Sequence, residues 1–550
     1  MPQTTSTLAL FHNRTFRMLW VAALASNFGG LVQAVGAAWM MTSLSSSQSM
    51  VALVQSSVTL PIMIFSLAAG VFADNFDRRR VMLVAQGFML VVSVALAFMA
   101  YEGMLTPWLL LGFTFLIGCG TALHNPSWQA SMGDIVPRDD LPGAVSLNSM
   151  GFNMMRSVGP AAGGAIVAVA GAAAAFAVNA VSYVAIIAAL LAWRPALPAR
   201  RLPREAFGGA FAAGLRYVAL SPNLLRVILR GFLFGLAAVA IQALLPIVVR
   251  DHLDGEAFVY GVMLGCFGLG AVLGALLNAR LRARFRNEII TRMAFMGFAL
   301  STATLALVGN AVISGAALLL AGICWVVALS LFNVTMQLST PRWVVGRVLA
   351  LYQTGVFGGM AAGSWLWGAL SEGFGPDRAL LGAAALLVIG ALAGTRAPLP
   401  DFGHLNLDPL NRFSEPPLRL DLSQRSGPIM ILVDYDIAQR DVPEFLELMN
   451  QRRRIRIRDG ARQWALLRDL EDPDIWTETY HVPTWVEYIR HHERRTRADA
   501  GVADRLAALH KGRHPPRVHR MIERQTVPSH DDTPRRGPQE TPPPPPDTEL

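Results

Sequence analysis

The chain has 550 residues, of which 53% are hydrophobic and 15% charged, with a mean hydropathy of +0.40, a composition too apolar for an ordinary soluble enzyme. Its formal charge of +9 is divided unevenly: residues 1–400 carry 24 basic and 13 acidic side chains, and the last 150 carry 23 and 25. The positive excess belongs to the apolar part, where it reads as membrane topology, and no nucleic-acid partner is expected.

Residues 1–12 lack a basic region leading to a small-residue cleavage site, so no removable signal peptide is expected. Twelve apolar segments follow, at about 16–42, 49–73, 80–101, 105–129, 143–169, 172–193, 223–249, 257–279, 287–308, 311–338, 345–371 and 376–395. At about 1.5 Å per residue, each crosses a hydrocarbon core of roughly 30 Å. The loops on the side of the N-terminus carry Arg14, Arg17, Arg78, Arg200, Arg201, Arg204, Arg280, Arg282, Arg284, Arg286 and Arg342, whereas the opposite loops carry Arg250 and Arg378. Both termini are therefore expected in the cytoplasm. The predicted fold is an all-α polytopic membrane protein of twelve transmembrane helices in two six-helix bundles, 1–195 and 223–396, joined by a central cytoplasmic loop, 196–222, with a surface helix around 207–220. A linker, 397–428, leads to a small ferredoxin-like α+β domain, 429–525, and a Pro-rich tail, 526–550, predicted to be disordered.

The tight turn between the second and third segments, Gly70 to Arg80, recurs 204 positions later, with Gly70, Arg78 and Arg80 matched by Gly274, Arg282 and Arg284; Gly151, Gly159 and Gly164 are matched by Gly355, Gly363 and Gly368. One duplication explains both halves. The glycine permits close helix approach, and carboxylate and guanidinium groups clamp helix ends. Gly70, Asp74, Arg78, Arg79, Arg80 and Arg282 are thus candidate gate residues, with plain topology anchoring by the arginines as the alternative.

In the fifth segment, Arg156 lies about 13 residues past the helix start, roughly 20 Å deep, where an arginine costs at least about 2.5 kcal/mol and must face a cavity or a partner. The middle of the twelve segments offers no Asp or Glu. Arg156 therefore either attracts an anionic substrate or ties helices together through carbonyls and side chains such as Asn148 and Asn153. Asn125 and Gln129 stand one turn apart on one helix face, as do Asn333 and Gln337 in the equivalent helix of the second half. With Asn27, Gln33 and Gln242 they are candidates to line a substrate cavity, although each alone equally suits an interhelical hydrogen bond. Gly159-Pro160-x-x-Gly163-Gly164 is a small-residue packing seam with a proline that weakens the helix. Cys119, Cys266 and Cys324 fall in apolar runs without motif spacing, and neither metal nor cofactor is expected.

The pattern Gly70-x-x-x-Asp74-x-x-x-Arg78-Arg79 resembles the loop signature of the major facilitator superfamily, with Asn75 and Asp77 where that signature has Arg and Gly. The Gly159 to Gly164 seam resembles the antiporter signature of facilitator exporters, with Met155 in place of its upstream glycine. Together with Asn13-Arg14-x-Phe16-Arg17-x-Leu19-Trp20, Ala52-Leu53-Val54-Gln55, Leu147-Asn148 and Arg458-Asp459-Gly460, these place the resemblance in the bacterial transmembrane secretion effector branch. It implies a multi-pass protein of the bacterial inner (plasma) membrane: a secondary active exporter, or antiporter, that moves siderophore-like metabolites or drugs through the lipid bilayer by alternating access. Coupling to protons is implied by the resemblance alone. Thr114 stands where the proton-antiporter pattern has Arg, and a relay would fall to His124 or Asp134.

Beyond residue 428 the period changes to strand 429–437, helix 442–454, strands 463–467 and 475–481, a long helix 483–508 and strand 517–522, a βαββαβ order. It resembles the dimeric barrels of antibiotic-biosynthesis monooxygenases. Trp464, Trp476, Trp485, His481, His491 and His492 invite an enzyme reading, but without a metal-ligand spacing or nucleophile-base pair a regulatory or dimerising appendage is favoured. His491 to Arg495 reads as the polar face of the long helix. The alternatives to an exporter are a membrane-tethered, monooxygenase-like enzyme or an importer.

Overall fold

The computed structural model describes residues 7–137, 140–194, 207–341, 343–399, 407, 410 and 416–523; a few helical side chains, among them those at 70, 74 and 153, are not described. The tail and most of the linker lie outside the described residues, as do Arg200, Arg201, Arg204 and Arg342. The chain forms two compact units. The first comprises Met1–Ala210, Asn223–Met336 and Leu349–Asp401, and the second Phe211–Pro222, Gln337–Val348 and Phe402–Leu550.

In chain order the helices are α1 (Arg14–Leu44), α2 (Gln48–Asn75), α3 (Arg78–Tyr101), α4 (Pro107–Ile135), α5 (Leu141–Ala192), α6 (Phe207–Ala219), α7 (Pro222–Asp251), α8 (Ala257–Arg284), α9 (Asn287–Leu307), α10 (Ala311–Leu338), α11 (Val345–Phe374) and α12 (Pro376–Arg396). Ten helices among the described residues are long and apolar enough to cross a membrane; α11 is not one of them, and the apolar stretch of α5 runs 43 residues, about twice a bilayer's thickness. It bends at Gly171, whose φ of 77° only glycine adopts without strain. The helices turn around at two ends. The basic end carries Arg14, Arg78 to Arg80 and Arg282 to Arg286, and the opposite end carries the turns at 44–48, 101–107 and 251–257.

Local chemistry fixes the helix starts. Asn13 Oδ1 accepts from the Thr15 and Phe16 amides at 3.0 and 3.1 Å while its Nδ2 donates to the Ile135 carbonyl, so α1 is capped and tied to the end of α4 together. Asp77 caps α3 through the Arg79 amide. Phe16, Leu19, Met82, Trp128, Ile186 and Trp193 form the core of this end of the first bundle. In lipid the apolar transfer term between helices vanishes, so close packing and hydrogen bonds hold such helices together. One bond network is buried between α1, α3 and α5: Ser93 donates to Gln33 Oε1 at 3.1 Å, and Asn179 Nδ2 donates to Gln33 Oε1 and, at 3.1 Å, to Tyr183.

The second unit contains β1 (Ile429–Asp436), α13 (Val442–Asp459), β2 (Arg462–Arg468), β3 (Ile475–Val482), α14 (Trp485–Glu493), α15 (Arg497–Leu509) and β4 (Arg517–Ile522). The sheet order is β2-β3-β1-β4, with every pair antiparallel; Ile429 faces Val482 on one side and Ile522 on the other. Along β1 burial alternates, so Ile429, Ile431, Val433 and Tyr435 meet Phe445, Leu448, Met449, Tyr488 and Leu506 from the helices. The long helix expected at 483–508 is two helices. Thr496 starts a new one through a capping box with Asp499, whose carboxylate accepts from the Thr496 amide and hydroxyl. The break turns His491 and His492 inward: they are 1% and 7% exposed, not the polar face read from sequence.

Candidate functional site

Arg156 of α5 extends its guanidinium over two rings of the other bundle, Phe267 of α8 at 5.3 Å and Trp325 of α10 at 5.7 Å from the ring centroids. An arginine among aromatic faces keeps its charge while its donors stay available to an anion. The aromatic group continues from Phe267 and Trp325 to Phe234 and Phe298. Arg156 thus lies on the seam between the two halves of the first unit.

The Gly-Pro segment of α5 builds that seam. A Cβ at Gly159 would come within 2.9 Å of Leu31, and one at Gly163 within 3.0 Å of the Val32 Cα, so these two face α1 in the same bundle. A Cβ at Gly164 would lie 2.7 Å from the Ala257 carbonyl oxygen and 2.8 Å from the Gly261 Cα, so Gly164 faces α8 across the seam. Its counterpart in the repeat, Gly368, faces Ala52 of α2, with 2.7 Å left for a Cβ. Pro160 belongs to the same contact, its carbonyl oxygen 2.7 Å from where a Gly261 Cβ would stand.

Along α2 the halves are joined to α7 by Gln55 with Gln242 at 3.3 Å, and to α11 by Ser56 donating to the Ala361 carbonyl at 2.9 Å and by Ser66 with Thr354 at 2.8 Å. The opposite end is closed by polar clasps. Ser47 Oγ and the Ser49 amide donate to Glu372 at 3.0 and 3.3 Å, Ser371 donates to Gln48, and Arg250 donates to the Thr42 carbonyl at 3.1 Å. Trp39 stacks on Tyr260 beside them.

The other sequence candidates divide among several places. Gln242 is on the seam, Asn27 and Asn333 are half-buried, and Asn125 and Gln129 are exposed on α4. Gln33 is enclosed in the α1–α3–α5 network, where its carbonyl is occupied by Ser93 and Asn179. Gln337 falls in the second unit. At the basic end Arg78 forms an ion pair with Asp134 at 2.8 Å, and Arg79 donates to the Leu190 and Leu191 carbonyls, capping the end of α5. Arg80 and Arg282 are exposed, and the Gly70 and Asp74 side chains lie outside what is described. His124 hydrogen-bonds Gln86 at 3.2 Å and stacks on Trp128.

Two arrangements are missing from the sequence reading. In the second bundle Glu288 of α9 accepts from Arg230 of α7 at 3.4 Å and from Arg292 at 3.1 Å, while its other oxygen takes the Leu399 amide at 2.9 Å. The available signal was Arg230 inside an apolar segment, which demands a partner as Arg156 does. In the second unit, Tyr217 and Trp343 meet edge to face at 5.8 Å, with Arg458 over Tyr217 at 5.4 Å and Arg494 over Trp343 at 4.6 Å. Asp459 organises both arginines: its carboxylate takes Arg458 at 2.9 Å and its carbonyl takes Arg494 at 2.8 Å. Burial and the nearby Asp499 push Asp459 up to about 6, against the pull of Arg458. The enzyme-like tryptophans of this unit are structural: Trp476 and Trp485 belong to its core, and Trp464 donates to Glu478 at 3.0 Å. Among the described residues no group of three or more His, Cys, Asp or Glu is placed to hold a metal.

A family model described as transmembrane secretion effector matches residues 5–527. The chain is 28% identical over 331 residues to the enterobactin exporter EntS of Escherichia coli O1:K1 / APEC and to that of Shigella boydii serotype 18 (strain CDC 3083-94 / BS512), with 59% of this chain and 78% of each relative covered. Among solved structures it is similar to a bacterial homolog of the human lysosomal transporter Spinster in an inward-facing, unoccupied conformation, at a TM-score of 0.55 and 14% identity over 70% of this chain and 96% of that one. It is likewise similar to the nucleoside transporter NupG, at a TM-score of 0.54 and 14% identity over 70% and 98%. Identities this low carry the fold alone.

Proposed function

Because the chain belongs to the transmembrane secretion effector family of major facilitator transporters, we propose that it is a secondary active exporter of small anionic metabolites of the siderophore type, working by alternating access. Twelve spans follow when α5 is counted as two and α11 is included, with both termini in the cytoplasm of a bacterial inner membrane. The domain boundaries are those of the sequence pattern, and the four-stranded domain after the linker is of the ferredoxin-like class. The observation that carries the reading is Arg156: a guanidinium on the seam of the two bundles, against Phe267 and Trp325, suits an acidic aromatic substrate such as a catecholate. EntS, named as an enterobactin exporter, supports the same substrate class.

Asn27, Gln242 and Asn333 add polar groups to the site, and Asn125 and Gln129 line the path toward the basic end. Gln33 acts through the α1–α3–α5 network. Gly159, Pro160, Gly163 and Gly164 form the pivot, and Gly70, Asp74, Arg78, Arg79, Arg80 and Arg282 the cytoplasmic gate, in which Asp134 is the partner of Arg78. Protons are the coupling ion, relayed through Asp134 and His124. The domain after the linker serves as a dimerising module.

Inside-out vesicles carrying the wild type or Arg156→Ala test this, with catecholates and cationic dyes compared with and without a pH gradient. Gradient-dependent accumulation of the catecholate that fails in the variant is the expected result. Accumulation of dyes alone, with the variant normal, would overturn both the substrate class and the role of Arg156.

A further inference from the structure

Helix α6 has 13 residues and one charged side chain, Arg216, so neither side of it is polar. Its buried side belongs to the second unit, where Ala213, Tyr217 and Val218 are 4%, 4% and 5% exposed. A Cβ at Gly214 would stand 2.8 Å from the Arg347 Cβ, and Tyr217 meets Trp343 edge to face with Arg458 over its ring. Arg216 turns to the same side, its Nη2 3.6 Å from where a Gly460 Cβ would stand.

At about 3.6 residues per turn, the opposite arc of the helix is Phe211, Ala212, Leu215 and Ala219, and all four are exposed. Phe211 is 39% and Leu215 49% exposed, and Leu220, just past the helix end, is 39% exposed. A helix that is apolar all round is stable when it is covered all round, and the second unit covers only one side. Chain continuity identifies the other cover. Only Leu220 and Ser221 separate α6 from α7, a helix long and apolar enough to cross the membrane, so the end of α6 lies within about 10 Å of the start of that span. The sequence from Arg194 to Arg226 holds six arginines against one acid, Glu205, a charge that complements an anionic lipid surface.

We propose that α6 lies on the bilayer surface, with Phe211, Ala212, Leu215 and Ala219 in the boundary between headgroups and acyl chains and anionic headgroups around the neighbouring arginines. Burial of apolar side chains and attraction of basic residues to an anionic leaflet act together on such a helix. An ordinary interfacial helix turns a polar side to water. In α6 that side is taken by protein instead, so the helix fastens the second unit to the membrane surface. Only the choice of the cytoplasmic leaflet rests on the orientation proposed above; contact with lipid depends neither on it nor on what is transported.

The test uses the full-length protein in lipid nanodiscs, with Cys119, Cys266 and Cys324 replaced by alanine and a nitroxide placed at Leu215→Cys or Ala212→Cys. A label at Leu470→Cys, a position 97% exposed in the second unit, marks water. Power saturation reads collisions with oxygen, which concentrates in lipid, and with a neutral nickel chelate, which stays in water. The expected result is that both α6 labels favour oxygen, at a depth of about 5–10 Å, while the Leu470 label favours nickel. Adding phosphatidylglycerol to phosphatidylcholine discs should deepen the α6 labels. Nickel contact equal to that at Leu470 would put this face in water, and loss of contact with both reagents would put it against protein; either result overturns the proposal. A depth indifferent to phosphatidylglycerol would overturn the part given to the arginines. A protein that transports nothing can still give the expected depth, so failure here is distinct from failure of the exporter reading.

Discussion

Gly164 and Gly261 meet backbone to backbone across the two halves of the membrane unit: a Cβ on either would stand within 2.8 Å of the other's Cα. Neither main chain can give way as a flexible side chain would. Gly164→Val should therefore hold the opposite end apart, at about 1–3 kcal/mol against the closed state. A disulfide between Ser47→Cys and Glu372→Cys, whose native side chains lie 3.0 Å apart, reads this directly. Its yield should drop in the Gly164→Val background while Gly163→Ala, which presses only on α1, leaves it high; equal yields would refute the seam.

Trp325 is the second ring against Arg156 and is 4% exposed. Replacing it by leucine keeps an apolar filler and removes one face, a loss of about 0.5–2 kcal/mol. Vesicle transport of the anionic substrate should show KM changed by roughly 2- to 30-fold at similar expression, and an unchanged KM would mean that the ring only packs.

The Arg78–Asp134 pair is partly shielded, with side chains 26% and 18% exposed. Asp134→Asn should slow turnover without lowering the amount of protein in the membrane, because a gate loses one of the contacts that distinguish its two states. If turnover stays at the wild-type level over the whole pH range, both the latch and the proton role of Asp134 fall.

In the domain after the linker, His491 and His492 are held well below the ordinary histidine range, by burial first and then by neighbouring arginines. The unfolded chain takes up these protons near pH 6.5 and the folded one does not, so stability is present above that pH and is lost as the pH falls through it, by up to about 1.4 kcal/mol per unit for each histidine. Asp459 works the other way. With a folded value of about 6 it takes up a proton before the unfolded chain does, and adds stability as the pH falls from about 6 to about 4. Asp459→Asn should therefore steepen the acid loss, measured as hydrogen exchange of β1 and β3 in the full-length protein between pH 7 and 5. A slope that stays the same would remove Asp459 from the balance.

The membrane half was the more legible part. Apolar run length and arginine placement locate the helices to within a few residues, since both follow from the bilayer itself, and the turn predicted at 170–171 is where Gly171 bends α5. Pairing was not legible. Arg78 meets Asp134 from another helix, Gln33 turns inward to Asn179, and Glu288 finds Arg230, because such partners depend on helix rotation and on contacts distant in sequence. In the last domain the strand alternation was readable from β1, but the second helix start at Thr496 was hidden. The run through His491 to Arg495 keeps good helix formers on both sides of the break, and the three-residue spacing of Thr496 and Asp499 was the one cue.

Glu288 carries one more implication, for the order in which the protein is made. Its carboxylate joins α7 and α9 to the Leu399 amide, which follows α12. On the ribosome, Arg230 and Glu288 leave the exit tunnel long before residue 399 does, so the basic end of the second bundle cannot complete its polar contacts until the final membrane helix has been delivered. Truncation just before Leu399 should accordingly strand the bundle as a protease-sensitive insertion intermediate, and the first point at which this half becomes a finished object coincides with the arrival of its last turn.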